Sequence, residues 1–480
     1  MHMTHHPRKP AGPSETLRLT AVMLTCAILA ACEDTRKETS AVLQPVPNVV
    51  TGDIQAGIEK HIGEQVRLGN GFFRLPFKEQ ELRLRLVRVH IEYLATLGPR
   101  HHFACVDMVN DDGEFYDVDF FLDGDPGAMT VTETTVHKLN GKPFYLWKQN
   151  PDKTWVRAPV DDASRQLLGV LSGRDVFEFR YQATLPVIQG PARAWLPLAQ
   201  SDAFQKITVI SVRAPGKRQT LKDAAYGNLV LYLELGPEDG GKTIDILYDV
   251  DRLEKGSYAG DPADAARYLQ AEKLVPTDNA IAAIALKATA GKPSDLMRAR
   301  ALYDRVLDDM RYRKCGEGWG KGDAVYACTA RSGNCTDFHA YFIALARAVG
   351  IPARFAIGAA VASERDEGGV DGYHCWAEFY AEGKWWPVDI SEADKFSALS
   401  AYYFGHHPPN RIELSRGRDL VVNPGPASGP INFLAYPVIE IGGKPAKAQI
   451  LFSFRRTAGR MQTAAAGAAA GAAAHHTSAP

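Results

Sequence analysis

The chain has 480 residues, with 55 Lys and Arg against 56 Asp and Glu, for a formal net charge of −1. This balance argues against a nucleic-acid partner, because nucleic-acid binding needs a strongly basic surface. A hydrophobic content of 45% is typical of a globular protein. The length exceeds what one core usually organises, and it predicts about three domains.

The N-terminal segment is predicted to be a secretory signal peptide over residues 1–31. Basic residues, among them Arg8 and Arg18, precede an apolar run over residues 19–31. That run is too short to span a bilayer as a helix, and the order of basic and apolar parts is that of a signal peptide.

A cysteine stands directly after small residues at the end of this run. The sequence Leu29-Ala30-Ala31-Cys32 resembles the lipobox of bacterial lipoproteins. The resemblance implies that Cys32 is lipidated and anchors the protein in a bacterial cell envelope, on the periplasmic side. The alternative is an ordinary signal peptide cleaved near Ala31, with Cys32 incidental. Residues 32–50 are polar with scattered proline and are predicted to be a tether.

Residues 51–165 are predicted to form an α+β domain. One helix is expected first, and hydrophobic residues then alternate at strand period, with a bulge expected at Val87. Asp111-Asp112-Gly113 and Asn140-Gly141 separate strand patterns, which predicts two hairpins. A helix followed by an antiparallel sheet loosely resembles the cystatin shape, and this analogy carries no function.

Residues 168–256 are predicted to form a β-sandwich domain, because short strand patterns alternate with polar turns. Five such patterns are centred near residues 179, 196, 210, 232 and 247. Helical patterns return at residues 280–288 and 294–310, at the beginning of a predicted third domain over residues 260–455.

A cysteine in this third domain stands at a predicted helix start. Four apolar residues recur at helical spacing: Phe338, Phe342, Leu345 and Val349. Asn334 is a good N-cap, which puts Cys335 at the first helical position. There, backbone amides and the positive end of the helix dipole stabilise a thiolate. From the helix start alone, a small buried core residue is an equally good interpretation of Cys335.

Two strand patterns, residues 373–380 and 384–390, flank Glu382-Gly383, which predicts a β-hairpin with a two-residue turn. The register places four residues on one face: His374, Trp376, Asp389 and Ser391. His374 and Asp389 become diagonal neighbours, so the carboxylate can orient the imidazole as in a catalytic triad. A surface histidine and aspartate without chemistry is the alternative interpretation.

Four motifs in this region combine into a recognisable set. They are Gly333-Asn334-Cys335-Thr336-Asp337-Phe338-His339, Arg347-Ala348-Val349-Gly350-Ile351-Pro352-Ala353-Arg354, Tyr373-His374-Cys375-Trp376-Ala377-Glu378 and Trp386-Pro387-Val388-Asp389. Over about residues 260–455 the chain resembles the secreted bacterial and archaeal branch of the transglutaminase-like cysteine enzymes. The resemblance implies that Cys335 is the nucleophile, His374 the general base and acid, and Asp389 the residue that orients the imidazole.

The resemblance also implies acyl transfer through a Cys335 thioester, with the oxyanion held by the backbone amide of Cys335. In the eukaryotic crosslinking enzymes a tryptophan before the cysteine helps to hold the oxyanion. Trp319 is the candidate here, although its distance along the chain differs from that pattern, and a loop-packing tryptophan is the alternative. His339, one turn below Cys335, could compete as the base or be a buried polar neighbour.

Three further cysteines carry expectations of their own. Cys315 and Cys328 flank the glycine-rich loop before the nucleophile, and in an oxidising envelope they could form a disulfide that pins this loop. Cys375 is expected on the hairpin face opposite His374, in the core.

The expected fold class is α+β, with a papain/transglutaminase-like catalytic domain preceded by the β-sandwich and the N-terminal α+β domain. The expected function is that of an envelope-anchored enzyme acting on peptide or isopeptide amide bonds. The resemblance favours hydrolysis over crosslinking, because the crosslinking enzymes of animals bind calcium in acidic loops and many microbial members of the family resemble peptidases or amidases. The sequence has no acidic loop of the EF-hand type. No metal or other cofactor is predicted. The alternative is a non-catalytic binding or scaffold lipoprotein with the same fold.

The expected partners are a protein or peptide substrate, with peptidoglycan peptides among the candidates, and the membrane through the N-terminal lipid. Residues 456–480 are rich in alanine with glycine interruptions and are predicted to be a disordered tail.

Overall fold

The computed structural model describes residues 49–151, 155–163 and 165–457. The predicted signal peptide, Cys32, nearly all of the tether and the tail beyond residue 457 lie outside the described residues. Within the described ranges, none of the helices combines the length and the apolar character that crossing a membrane requires.

The N-terminal region consists of one helix and an antiparallel sheet. Its elements are α1 (Thr51–Leu68), β1 (Phe73–Phe77), β2 (Gln80–Val89), β3 (Ala95–Gly98), β4 (His101–Val109), β5 (Phe115–Asp123), β6 (Thr130–Leu139), β7 (Lys142–Pro143), β8 (Leu146–Gln149) and β9 (Trp155–Ala158). The main sheet has the order β1-β2-β4-β5-β6-β7, and β3 also pairs with β4. The buried face of α1, formed by Ile54, Ile58 and Ile62, packs on this sheet. The broader cystatin-like shape stays a prediction.

The structure tests the bulge and the two hairpins that the sequence predicts in this region. The pairing of β2 with β4 shifts register between Leu86 and Arg88, which confirms a bulge at Val87. The hairpin across Asp111-Asp112-Gly113 is confirmed as β4 and β5. The second predicted hairpin is only partly right: Asn140-Gly141 joins β6 to the two-residue β7, and β8 pairs with β9 in a separate small sheet.

The middle of the chain forms two stacked five-stranded sheets. Its elements are α2 (Arg165–Val170), β10 (Arg174–Thr184), β11 (Ala192–Leu198), β12 (Gln205–Arg213), β13 (Lys217–Lys222), β14 (Leu229–Leu235) and β15 (Thr243–Leu253). The sheet orders are β12-β15-β10-β26-β20 and β13-β14-β11-β24-β25. A shared core contains Phe179, Tyr181 and Leu233, with Phe452 from the far end of the chain.

The rest of the chain contains the helix that begins at Cys335, together with the sheet on which this helix packs. The elements are β16 (Tyr258–Ala259), α3 (Pro262–Ala266), α4 (Asn279–Thr289), α5 (Asp295–Asp309), β17 (Arg311–Tyr312), α6 (Ala324–Ala330), β18 (Ser332–Gly333), α7 (Cys335–Ala348), β19 (Ala353–Ala360), β20 (Glu367–Val370), β21 (His374–Ala381), β22 (Lys384–Val388), α8 (Ile390–Lys395), β23 (Arg411–Arg416), β24 (Val438–Ile441), β25 (Lys444–Ala446) and β26 (Gln449–Arg456). The central sheet has the order β16-β22-β21-β19-β23, and α7 lies against β21 and β19.

The predicted boundary between a sandwich ending at residue 256 and a catalytic domain over residues 260–455 is wrong. Strands β20, β24, β25 and β26 come from the second segment but complete the two sheets of the first. β10 pairs with β26 along its length, with Phe179 opposite Phe454. Such a pairing joins strands far apart in the chain, and hydrophobic period alone does not show which distant strand is the partner.

The N-terminal sheet packs closely against the part of the chain that contains Cys335. Phe115 lies 5.2 Å from Phe404, ring centre to ring centre, and belongs to the same core as Cys335. The turn at Gly141 approaches the backbone of Tyr402 so closely that a Cβ atom there would lie 2.1 Å from its nitrogen. With φ of +73°, only glycine fits this contact without strain.

Candidate active site

Cys335 begins α7, as predicted, and its surroundings are held by the caps of that helix. The Asn334 side chain accepts a hydrogen bond from the Thr336 amide at 3.0 Å. The Asp337 carboxylate accepts from the backbone amides of Asn334, Gly320 and Gly322 at 2.7–3.0 Å. One carboxylate therefore ties the glycine-rich loop to the start of the nucleophile helix.

The hairpin register is confirmed as far as Val388, but the predicted strand to residue 390 is wrong, because Asp389 caps a helix and Ser391 lies in that helix. Ala381 faces Lys384 and Ala377 faces Val388, across a turn in which Glu382 and Gly383 both have positive φ. Positive φ at both positions is the type I′ geometry that matches the twist of the strands. Asp389 follows β22 directly and caps α8 by accepting from the Glu392 amide at 3.1 Å.

The structure brings His374 and Asp389 together. His374 Nε2 lies 2.6 Å from Asp389 Oδ2, and both side chains are buried. The other ring nitrogen, Nδ1, is left for the thiol, and the Cys335 side chain hydrogen-bonds to His374. The three residues therefore form one hydrogen-bonded chain, in the order that an activated thiol requires.

The charges in this chain favour an ion pair. Burial opposes a thiolate, but hydrogen bonds from Cys375 and His374 and the charge on His374 hold the pKa of Cys335 well below its usual value. Burial also opposes an imidazolium, but Asp389 and Cys335 raise the pKa of His374 to about 9. A thiolate beside an imidazolium is the resting state that a cysteine nucleophile uses.

Both carboxylate oxygens of Asp389 accept hydrogen bonds. Besides His374, its Oδ2 accepts from Arg411 Nη1 at 2.9 Å, and its Oδ1 accepts from Ser391 Oγ at 3.0 Å and from the Glu392 amide. Burial opposes its charge, yet His374 and Arg411 keep the pKa of Asp389 well below the usual range. The carboxylate therefore stays ionised and fixes the imidazole in one orientation.

Both ring nitrogens of His339, the alternative base, form hydrogen bonds with the backbone. Its Nδ1 lies 2.8 Å from the carbonyl oxygen of Cys335, and its Nε2 accepts from the Ile390 amide at 3.1 Å. These two bonds specify the neutral tautomer with the proton on Nδ1. Burial lowers the pKa of His339. This residue is a buried polar neighbour of the nucleophile, and neither of its nitrogens remains for proton transfer.

A cleft of about 600 Å³ opens beside His374. Its lining includes Tyr373 and His374, the edge strand β20 through Gly369 and Val370, and the charged side chain of Lys395. Cys335 itself is 1% exposed and is not part of the lining of the cleft. A ligand in the cleft would therefore contact His374 rather than the sulfur.

Two other predictions concern the loop before α7. Cys315 and Cys328 are free thiols, so the predicted disulfide is wrong for this structure. Cys315 is exposed in the loop, whereas Cys328 lies on α6, where its thiol contacts Tyr341. Trp319 is 37% exposed, next to the pinned Gly320. Its role at the oxyanion, like that of the Cys335 amide, stays a prediction.

Sequence reasoning missed two neighbours of the nucleophile. Arg411 reaches Asp389 from β23, and Cys375, although in the core as expected, hydrogen-bonds to Cys335. Neither residue has a local pattern that reveals the contact. Among the described residues, no group of three or more His, Cys, Asp and Glu side chains is arranged to hold a metal ion.

Comparison with known proteins agrees with this geometry. Residues 282–390 match the model of the transglutaminase-like superfamily, and this segment contains Cys335, His374 and Asp389. The chain therefore carries a transglutaminase-like domain over residues 282–390.

Individual relatives are distant. An uncharacterized protein of Haemophilus influenzae is 26% identical over 304 residues, covering 54% of this chain and 82% of that protein. A "putative cysteine protease" from Cytophaga hutchinsonii is similar in structure, with 18% identity, a TM-score of 0.44, and coverage of 60% of this chain and 92% of the other. A "putative protease" from Parabacteroides distasonis has 9% identity, a TM-score of 0.21, and coverage of 60% and 63%.

Proposed function

We propose that this protein is a cysteine peptidase or amidase that cleaves peptide or isopeptide bonds through a thioester on Cys335. The observation that carries the proposal is the single imidazole of His374, which connects a buried ionised carboxylate to a thiol at a helix start. That arrangement supplies a nucleophile, a proton donor and a fixed orientation.

The proposed reaction has two steps. The Cys335 thiolate attacks the carbonyl carbon, and the His374 imidazolium gives its proton to the leaving amine as the carbon–nitrogen bond breaks. His374, now neutral, takes a proton from water as the water oxygen attacks the thioester. The carbon–sulfur bond breaks, the acid leaves, and the Cys335 thiolate is regenerated beside the His374 imidazolium. Asp389 keeps its charge throughout, because His374 and Arg411 hold its pKa well below the usual range.

The cleft supports a peptide as substrate. Within residues 49–151, 155–163 and 165–457, β20 is the last strand of its sheet, so none of these residues forms a strand on its outer edge. β20 contains Gly368 and Gly369, and the room left by the missing side chain of Gly368 is taken by the Arg365 guanidinium. This guanidinium donates to the Gly369 carbonyl at 2.6 Å and would be replaced by a bound peptide backbone. An extended peptide can add to such an edge through main-chain hydrogen bonds. Because β20 ends shortly before His374, a bound peptide would pass the imidazole.

Hydrolysis rather than crosslinking is supported by the character of the cleft. Glu364, Glu392 and Lys395 line it, and such polar walls leave water beside the thioester. We expect the acid to remain the main product when a simple primary amine is added to the reaction. Mass spectrometry of peptide products, with and without the amine, measures this ratio. A dominant amide product would instead support transamidation.

The enzyme itself is tested with an electrophilic probe that reacts with thiolates. We expect stoichiometric labelling of Cys335 in the wild type and a loss of labelling at neutral pH in His374→Gln, because the imidazolium no longer stabilises the thiolate. Peptide mapping identifies the labelled cysteine. If folded, reduced wild-type protein stays unlabelled at Cys335, the chain is better explained as a binding or scaffold protein.

We further propose that the protein acts at a bacterial cell envelope, anchored through lipid on Cys32. The support is the lipobox-like Leu29-Ala30-Ala31-Cys32 after an apolar run. Labelled palmitate should enter the wild-type protein in a bacterial host and should not enter Cys32→Ala. Equal incorporation in both would remove this part of the proposal.

A further inference from the structure

The candidate site contains a buried arginine that comes from outside the matched segment. Arg411 is the first residue of β23 and is 1% exposed. Its backbone pairs with Ala360 of β19, and the neighbouring Asn410 donates from Nδ2 to the Val361 carbonyl at 2.8 Å. The sheet therefore fixes the point from which the arginine side chain reaches Asp389.

The guanidinium has two specific contacts. Arg411 Nη1 donates to Asp389 Oδ2 at 2.9 Å, the same oxygen that His374 Nε2 approaches at 2.6 Å. The guanidinium carbon lies 5.0 Å from the centre of the Trp376 ring, within the range of a cation–π interaction. Trp376 shares the β21 face of His374, and the two rings are 6.0 Å apart. Arg411 therefore contacts both Asp389, which binds the imidazole, and Trp376, whose ring lies beside the imidazole.

The charges explain why an arginine is useful here. A thiolate, an imidazolium and a carboxylate together leave one net negative charge in a buried place, and such a charge is costly without a partner. Arg411 supplies the missing positive charge. Because it approaches from the carboxylate side, it compensates Asp389 without occupying the nitrogen that faces Cys335.

We propose that Arg411 is a positioning residue, which locks Asp389 against His374 and balances the charge of the site. The inference rests on the proposed function of Cys335 and His374. Other polar or charged groups that interact with Arg411 are His407, Arg252, Tyr402 and Tyr403. Burial, and after it Arg411, keeps the pKa of His407 well below its usual value, so His407 is neutral beside the arginine and adds no charge to the site.

The test compares the pH dependence of two reactions at Cys335, followed by peptide mapping in the full chain. Iodoacetamide reports the thiolate, and an epoxide probe also needs a proton from the imidazolium when its ring opens. Removing a positive charge should raise the pKa of both the thiol and the imidazolium. In Arg411→Gln we expect both midpoints to move up by about one pH unit.

Two further variants complete the design. Arg411→Lys keeps the charge but loses the planar contact with Trp376, so its midpoints should stay near the wild type while its epoxide rate falls about tenfold. Arg347→Gln is the matched control, because Arg347 is equally well buried on α7 but binds Ala353, Gln270 and Glu272 instead. It should leave both midpoints unchanged.

The proposal is overturned if folded Arg411→Gln has wild-type midpoints, or if Arg347→Gln shifts them equally. Should Arg411→Gln fail to fold, Arg411→Lys decides, and an unchanged epoxide rate there overturns the proposal. Failure of the proposed function gives a different result, in which wild-type Cys335 shows no thiolate below neutral pH in the iodoacetamide profile.

Discussion

Two buried clusters in this protein contain the same four residue types, and only one has the geometry of a thiol nucleophile. The candidate site combines Cys335, His374, Asp389 and Arg411. The contact between the N-terminal sheet and α5 combines Cys105, His90, Asp107 and Arg300, all at most 5% exposed. His90 Nε2 lies 2.9 Å from Asp107 Oδ1, and Arg300 pairs with the same carboxylate.

The difference lies in what the second imidazole nitrogen touches. His90 Nδ1 lies 3.0 Å from Glu92 Oε1, so carboxylates take both of its nitrogens. His374 gives only Nε2 to a carboxylate and leaves the other nitrogen to the thiol. Burial and the neighbouring Asp117 and Asp119 raise the pKa of Cys105 well above its usual value, whereas His374 helps to lower that of Cys335. A buried Cys–His–Asp–Arg set is therefore not by itself a catalytic signature.

The largest expected effect comes from the two cysteines. Cys335→Ala should abolish peptide cleavage and labelling by the electrophilic probe, because no nucleophile remains. Cys105→Ala is the matched control and should leave both at wild-type levels. Activity assays on both variants, with circular dichroism to verify folding, make the comparison. Cleavage that persists in Cys335→Ala would remove Cys335 from the mechanism.

Substitution of Asp389 should lower the reaction rate, whereas substitution of Asp107 should lower the stability of the fold. In Asp389→Asn the imidazole loses its ionised partner, and we expect a fall in kcat of about 10²- to 10⁴-fold. Asp107→Asn should keep kcat but lose about 3–5 kcal/mol of stability, since Arg300 and His90 keep buried charges without their partner. Urea unfolding and initial rates measure the two quantities. A loss of kcat in Asp107→Asn that matches Asp389→Asn would erase the distinction.

The two histidines predict how stability depends on pH. The pKa of His90 rises from 6.5 to about 10, and that of His374 rises from 6.5 to about 9. A histidine whose pKa is higher in the folded than in the unfolded protein stabilises the folded state. This contribution is complete below pH 6.5, the unfolded pKa, and is lost as the pH rises through the folded-state pKa. We expect the free energy of unfolding to decrease from pH 6.5 upward.

Asp107→Asn sharpens this prediction. Its stability should fall less between pH 9 and 10 than that of the wild type, because His90 no longer has its main partner and only the remaining protons of His374 are lost there. Denaturant unfolding at several pH values gives the curve. A wild-type slope over this interval in the variant would mean that His90 does not carry the effect.

The smallest expected effect concerns His339. His339→Gln can keep a donor to the Cys335 carbonyl and an acceptor for the Ile390 amide, so we expect less than a tenfold change in kcat. His374→Gln, measured in parallel, should lose activity almost completely. A comparable loss in both variants would give His339 a direct part in proton transfer.

Local patterns in the sequence were sufficient to predict the positions of Cys335, His374 and Asp389 in the candidate site. The helix start at Asn334 and Cys335 follows from capping chemistry, and the register of His374 and Asp389 follows from a two-residue turn at Glu382-Gly383. Both depend on residues only a few positions apart, where propensity and strand alternation act directly. For the same reason the bulge at Val87 was predictable.

Only the tertiary structure decided the rest. It brought Arg411 to Asp389 and Cys375 to Cys335, and it completed the sandwich with strands from the end of the chain, such as β26. Each of these contacts joins residues in two separate segments of the chain. No sequence repeat or short turn connects the two residues, so the sequence gives no signal of the pairing. The sequence by itself therefore determined which residues could react, whereas packing between distant segments decided how their charges are held in place.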